Sequence, residues 1–207
     1  YGKTMAGFIR AKRSFIFPFK TYNKMEVDPL ESLINVLSKL NVNESIAIQY
    51  IVRSALPGWH YKSNRVVSKV NQGKKLSDAL GENLFSNALG WLGDLVKAAK
   101  PPGPDDKKLN KENRLTAMEQ EVLKLIEEKN SKAGLDVNIR IVVSAGDTSR
   151  AKVYLNNIIS AFSEYNYYQY GNVFTNKTVF YNNYIQKFLI KDFIYRRFKP
   201  SLGFILN

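Results

Sequence analysis

A chain of 207 residues, 44% hydrophobic and 13% aromatic, is long enough for one sizeable domain with an insertion or for two small ones, and its composition excludes a disordered tail. With no cysteine it has neither disulfides nor thiolate metal sites, which fits a reducing compartment, and no apolar run approaches the ~20 residues of a membrane-spanning helix. The formal net charge of +13 gathers in residues 1–27, 57–114 and 136–207, each with a net +5; this suits a polyanion, either nucleic acid or an anionic membrane face, or else a solvated lysine-rich surface.

Gly2-Lys3-Thr4 matches the end of a phosphate-binding loop, but the upstream glycine is missing and an apolar strand follows, so the match is chance. Residues 5–19 read as one long strand or a bent pair, with Phe15, Phe17 and Phe19 leading into a helix. Asp28, Pro29 and Glu31 mark that helix start. The aspartate accepts from a free first-turn N–H, the proline has no N–H to orphan, and the acid suits the helix dipole. Leu30, Leu33, Ile34 and Leu37 give the helix its apolar stripe. The period then changes to two: Ile46, Ile48, Tyr50 and Val52 share one face of a half-buried strand, with Gln49 and Arg53 on the other.

Pro57-Gly58 is a turn signal, followed by a basic helix over residues 59–72 carrying Lys62, Arg65 and Lys69. His60, the only histidine, reads as a surface or packing residue rather than a metal ligand or general base. Leu80, Leu84, Ala88, Leu92 and Leu95 form a stripe within Leu76–Ala99, weakened by Gly81, Gly90 and Gly93. It reads as packing on the protein's own core, with a membrane surface or a neighbouring subunit as alternatives. Residues 100–108, rich in proline, glycine and charge, are a linker.

Thr116 and Glu119 offer a capping box ahead of a stripe of Met118, Val122, Leu125 and Ile126. The charges of EQEVLKLIEEK read as a solvated helix face, and Gly134 as a left-handed helix end. Val137, Ile139, Ile141 and Val143 alternate with Asn138, Arg140 and Ser144 in a second strand. Asp147 or Thr148 caps a helix with the stripe Leu155, Ile158, Ile159 and Phe162, and Tyr165–Tyr170 with Asn172–Thr175 reads as the returning strand. Tyr165, Tyr167, Tyr168 and Tyr170 offer stacking surface, but without a glycine-aromatic signature they read as strand formers. Tyr181–Phe198 is an apolar, basic helix, and Phe204–Leu206 a last strand.

These elements make an α+β fold: two strand–helix–strand halves forming a mainly antiparallel, ferredoxin-like sheet with a helical insertion. Residues 1–56 are the first half, 57–114 the insertion and linker, and 115–207 the second half with the C-terminal helix and strand. The sequence shows no nucleophile elbow, zinc spacing or complete phosphate loop, so no catalytic, cofactor-binding or metal residue and no small-molecule substrate is expected.

The ordered segments FPFKTY (17–22), EVDPLESLINVLSKL (26–40), ESIAIQYIVR (44–53), LTAMEQEVLKLIEEKNSKAGLDVNIRIVVSAG (115–146), IISAF (158–162) and RRF (196–198) recur along most of the length of the chain. In them the chain resembles the N-terminal region of type IV secretion coupling-protein-like ATPases, conjugative DNA-transfer proteins related to the large pumping-ATPase superfamily. The resemblance implies a non-catalytic module ahead of a P-loop motor domain, with ATP and Mg belonging to that motor and no cofactor in this chain. It implies a fragment of a larger, homo-oligomeric machine, cytoplasmic and held at the inner face of the membrane through the parent protein. DNA and other secretion-system or membrane components are the implied partners. Arg10, Lys12, Arg13, Arg196, Arg197 and Lys199 are then the candidate nucleic-acid contacts, neutralising phosphates without reading bases. The alternative is a stand-alone basic nucleic-acid-binding or protein-interaction domain.

Overall fold

The computed structural model describes residues 3–25, 28–80, 115–169, 171–175 and 183–206. In chain order these hold β1 (Lys3–Ala11), α1 (Pro29–Leu37), β2 (Ser45–Ser54), α2 (Gly58–Asn71), α3 (Leu76–Leu80), α4 (Ala117–Asn130), β3 (Leu135–Ala145), α5 (Thr148–Ala161), β4 (Phe174–Thr175), α6 (Asn183–Ile194) and β5 (Phe204–Leu206). β3 is the central strand. One edge pairs antiparallel with β2 along Leu135–Ser144; the other pairs with β1 along Ile139–Ala145 and with β5 along Leu135–Val137. β4 adds two residues to β1, giving the order β2-β3-β1-β4. With α1 between β1 and β2, and α5 between β3 and β4, this is the ferredoxin-like β-α-β-β-α-β arrangement. The insertion occupies the β2–β3 connection.

The helix starts form as their residues dictate. Asp28 accepts from Leu30 N at 2.9 Å, with Pro29 opening α1 and Glu31 in its first turn. Thr116 and Glu119 close a reciprocal capping box on α4, and Asp147 accepts from Arg150 N on α5. Strand alternation then sets the layers. Met5, Ile9, Val137, Ile139, Ile141 and Val143 face α1 and α5, where Leu33, Leu155, Ile158, Ile159 and Phe162 complete the main core. A second cluster joins Val66, Val70, Leu76 and Leu80 of the insertion to Val122 and Ile126 of α4, and Ile16 and Phe17 reach into it. Thus α4 packs with the insertion, although it lies beyond residue 114 in the chain. The opposite sheet face is also covered: Ala6 and Phe8 pack under Leu189 of α6.

Several expectations are corrected. No strand contains Phe15, Phe17 or Phe19. The strand ends at Ala11, because Pro18 lacks a donor and the side chain of Asn172 captures Arg13 N and the carbonyls of Arg13 and Ser14. Among the described residues the returning strand is Phe174–Thr175; Tyr165 ends a 3₁₀ turn, and Asn166 Oδ1 takes the Phe174 N–H. Of the α1 stripe, Leu33 is buried while Leu30, Ile34 and Leu37 are exposed; Pro29 and Val36 complete its inner side. Gly134 is not left-handed. Its missing Cβ makes room for the Trp59 indole, whose atoms would lie 2.7 Å from one. Lys129, read as solvated, is buried. Residues 81–114, with most of the Leu76–Ala99 stripe and the linker, and Tyr170 lie outside the described residues.

The Arg13–Lys20 excursion leans directly on the Gly171 backbone. A Cβ at Gly171 collides with the Pro18 carbonyl, whereas one at Gly58 meets nothing within 4 Å. Gly171→Ala is therefore expected to lower stability by about 1–3 kcal/mol. Gly58→Ala, in the first turn of α2, is expected to be neutral or to stabilise by up to about 1 kcal/mol. Urea midpoints of the two variants against the parent chain check both.

Candidate functional site

Asn138 and Arg140 sit on the β3 face that the core does not use, and the chain after α6 closes over them. The Arg140 guanidinium donates to the Asp192 carbonyl at 2.8 Å and to the Arg197 carbonyl, and its side chain is almost fully buried. Asn138 Oδ1 accepts from Lys199 N at 2.7 Å, while its amide donates to the Lys199 carbonyl at 3.1 Å. Burial lowers the Arg140 pKa and nearby Asp192 opposes the shift; the group remains a cation. Two inward polar residues thus hold the segment that carries three of the candidate cations.

In that segment α6 ends in a left-handed turn at Arg196, φ 51°, with Arg197 N donating to Asp192 O and Arg196 N to Phe193 O. Arg196 and Arg197 are exposed, the Arg197 guanidinium lying 5.0 Å from the Tyr195 ring centroid. Lys199 is half-buried, its ammonium 3.2 Å from Asp192. Arg53 of β2 stacks 3.9 Å over Phe198 and pairs with Asp136 at 2.8 Å, fixing the turn against the sheet.

The remaining candidates divide. Arg10 is exposed on the same sheet face as Phe8 and α6, at the end of the sheet where the Arg196–Lys199 turn crosses. Lys12 is exposed where the chain leaves β1, its N–H on Val173 O. Arg13 turns away. Its guanidinium donates to the Gly171 and Tyr168 carbonyls, and burial lowers its pKa to about 10. Its visible role is to hold the loop around Asn172. Asp28, Pro29 and Glu31 form the helix start expected of them. His60 packs on Trp59 with ring centroids 3.9 Å apart, and its Nδ1 meets Asn130 Oδ1 at 3.0 Å.

A cleft of about 330 Å³ opens on the core side of the sheet, where the Pro18–Lys24 segment passes α4. Phe19 and Phe174, stacked 4.2 Å apart, line its floor together with Ile139. Tyr50 and Tyr165 line its walls, and burial pushes both phenols up, so they stay neutral donors at physiological pH. Lys20, Lys24 and Lys132 stand around it. An aromatic floor beside cations can receive a flat ring attached to an anion. Sequence reading missed this convergence because Tyr50 is on β2, Phe19 in the excursion after β1 and Lys132 after α4; the aromatic-basic sequence FPFKTY was its visible signal. Among the described residues no cluster of potential metal ligands occurs.

Lys129 also borders this cleft. Its ammonium donates to the carbonyls of Phe15 (2.7 Å), Phe17 (3.3 Å) and Ile205 (2.8 Å), tying α4 to the excursion and to β5. Burial lowers its pKa to about 7, against about 10.4 for an unfolded lysine. Between those values the unfolded chain binds the extra proton, so stability rises with pH. The expected gain from pH 7 to 9 is roughly 2 kcal/mol relative to Lys129→Met, in a window that ends about one unit below the ordinary tyrosine pKa. Urea denaturation of both chains across that window checks it; parallel curves would mean that the three carbonyls hold the proton on the folded lysine.

A family model described as "Domain of unknown function (DUF8128)" matches residues 2–202. No curated protein and no solved structure matches the chain.

Proposed function

The chain belongs to the DUF8128 family, and we propose that it is a non-catalytic module of a membrane-linked DNA-transfer ATPase of the type IV secretion, conjugative kind. Its role is to organise subunits and to guide DNA or another cargo toward the motor. The observation that carries the reading is where the family-like segments fall. Residues 26–40, 44–53, 115–146 and 158–162 span α1, β2, α4, β3 and the end of α5, and residues 196–198 are the turn clamped by Arg140. The resemblance therefore draws mostly on the helices and strands that build the sheet and its layers, with residues 17–22 in the excursion after β1.

The proposed division of labour follows the surface. Arg10, Lys12, Arg196 and Arg197 are exposed and neutralise phosphates without reading sequence. Arg196 stands at φ 51°, a conformation that glycine adopts more cheaply by about 1 kcal/mol, so a cation is present there at a cost to the fold. Leu30, Ile34 and Leu37 give α1 an exposed apolar stripe for a neighbouring subunit. ATP and Mg serve the motor domain, and the parent protein holds the module at the cytoplasmic face of the membrane. A second reading, a stand-alone nucleic-acid-binding or protein-interaction domain, draws on the aromatic cleft.

Fluorescence anisotropy of labelled single- and double-stranded DNA across a salt series tests the guiding surface. Binding is expected to weaken steeply with salt, and Arg196→Ala/Arg197→Ala is expected to reduce the log–log salt slope by roughly two. Arg196→Gly is expected to act in opposite directions, raising stability by about 1 kcal/mol while weakening DNA binding. Binding that depends on Tyr50→Ala but ignores the arginines favours the stand-alone reading. No binding at low salt removes the DNA role; sedimentation of Ile34→Asp against the parent chain then tests assembly.

A further inference from the structure

Helix α6 shows water the kind of face that helices usually bury. Its inner side is accounted for. Leu189 packs with Ala6 and Phe8, and Gln186 brackets the Ala6 peptide, accepting from its N–H at 2.6 Å and donating to its carbonyl at 2.9 Å. Asp192, the one acid of the helix, is buried with its carboxylate 3.2 Å from the Lys199 ammonium. These contacts fix the rotation of α6 about its axis. The opposite arc, about 120° wide at 3.6 residues per turn, is left to Tyr184, Lys187, Phe188, Lys191, Ile194 and Tyr195. Its apolar members are well exposed: Tyr184 73%, Phe188 57%, Ile194 66% and Tyr195 61%. The Tyr184 and Phe188 rings lie 6.0 Å apart, and Arg196 and Arg197 follow at once.

We propose that this arc is an interfacial face that docks the chain on an anionic lipid surface. An aromatic and aliphatic strip flanked by lysines matches the headgroup region, where rings lie at the level of the interface and ammonium groups reach lipid phosphates and carboxylates. The competing occupants match it less well. Phosphodiester backbones satisfy Lys187 and Lys191 but leave Phe188 and Ile194 against a charged ridge. A second copy docked on the same arc by a two-fold axis sets lysine against lysine, with no exposed carboxylate on α6 to relieve the repulsion. The proposal stands on α6 alone and does not require the DNA reading.

The test is co-sedimentation of the full chain with phosphatidylcholine vesicles and with vesicles that also contain phosphatidylserine, at low and moderate salt. The expected result is binding to the anionic vesicles and little to the neutral ones. Lys187→Gln/Lys191→Gln is expected to weaken it roughly 30-fold, and Tyr184→Ser/Phe188→Ser roughly tenfold or more. All four side chains are exposed, and circular-dichroism melting curves of each variant separate lost docking from lost folding. Absence of binding to anionic vesicles at low salt overturns the proposal, as does binding that both variants retain. If the same variants instead lose DNA affinity or self-association while vesicles are ignored, the arc belongs to that partner and the lipid assignment is wrong.

Discussion

The rest of the structure depends on the double burial of β3. This strand is paired on both edges and covered on both faces along Val137–Ile141, so each side chain there needs a partner of the right kind. On the odd-numbered face the partners are apolar and come from α1 and α5. On the even-numbered face Asn138 and Arg140 require acceptors, and carbonyls of Asp192, Arg197 and Lys199 supply them. A guanidinium left in that layer without acceptors would be severely penalised, so the sheet and the end of α6 are mutually necessary. The C-terminal segment is thus part of the fold, and its position is set by hydrogen-bond geometry as much as by apolar contact.

Local signals in the sequence were legible where the cause is local. Asp28, the Thr116–Glu119 box and Asp147 act on backbone within three residues, and they cap the helices expected of them. Val137 to Val143 alternate because one pleated face meets helices, and the pairing follows. The misread residues have causes far away in sequence. Lys129 sits in an EEK run that resembles a solvated face, yet its acceptors are at residues 15, 17 and 205. Arg140 alternates correctly for a water-facing position, but α6 covers that side. Phe15, Phe17 and Phe19 have strand-like spacing, while Asn172, more than 150 residues later, captures the backbone bonds that a strand would need.

The candidate cations show the same division. A basic residue announces charge but not what it neutralises. Arg13 and Lys199 have acceptors within the fold, whereas Arg10, Lys12, Arg196 and Arg197 extend to the surface. Conversely, the cleft draws on β2, β3, α4 and the excursion after β1, and only the folded sheet brings Tyr50 beside Tyr165 and the surrounding lysines. Its ingredients were visible in FPFKTY and in the tyrosine run, but not their meeting.

Two exposed apolar surfaces among the described residues bear on how the proposed module would work. The α1 stripe of Leu30, Ile34 and Leu37 lies on the core-helix side of the sheet, and the α6 arc lies on the other. They also differ in charge. Leu30, Ile34 and Leu37 are interleaved with Glu31 and with no basic residue, whereas Lys187 and Lys191 stand among the rings of α6. An uncharged or acidic apolar stripe suits protein–protein packing, and a basic aromatic arc suits an anionic surface. Because the sheet separates them, occupation of one leaves the other open. In the proposed module one subunit packs against a neighbour through α1 while α6 meets a different surface, and β3 with its Arg140 clamp lies between the two faces.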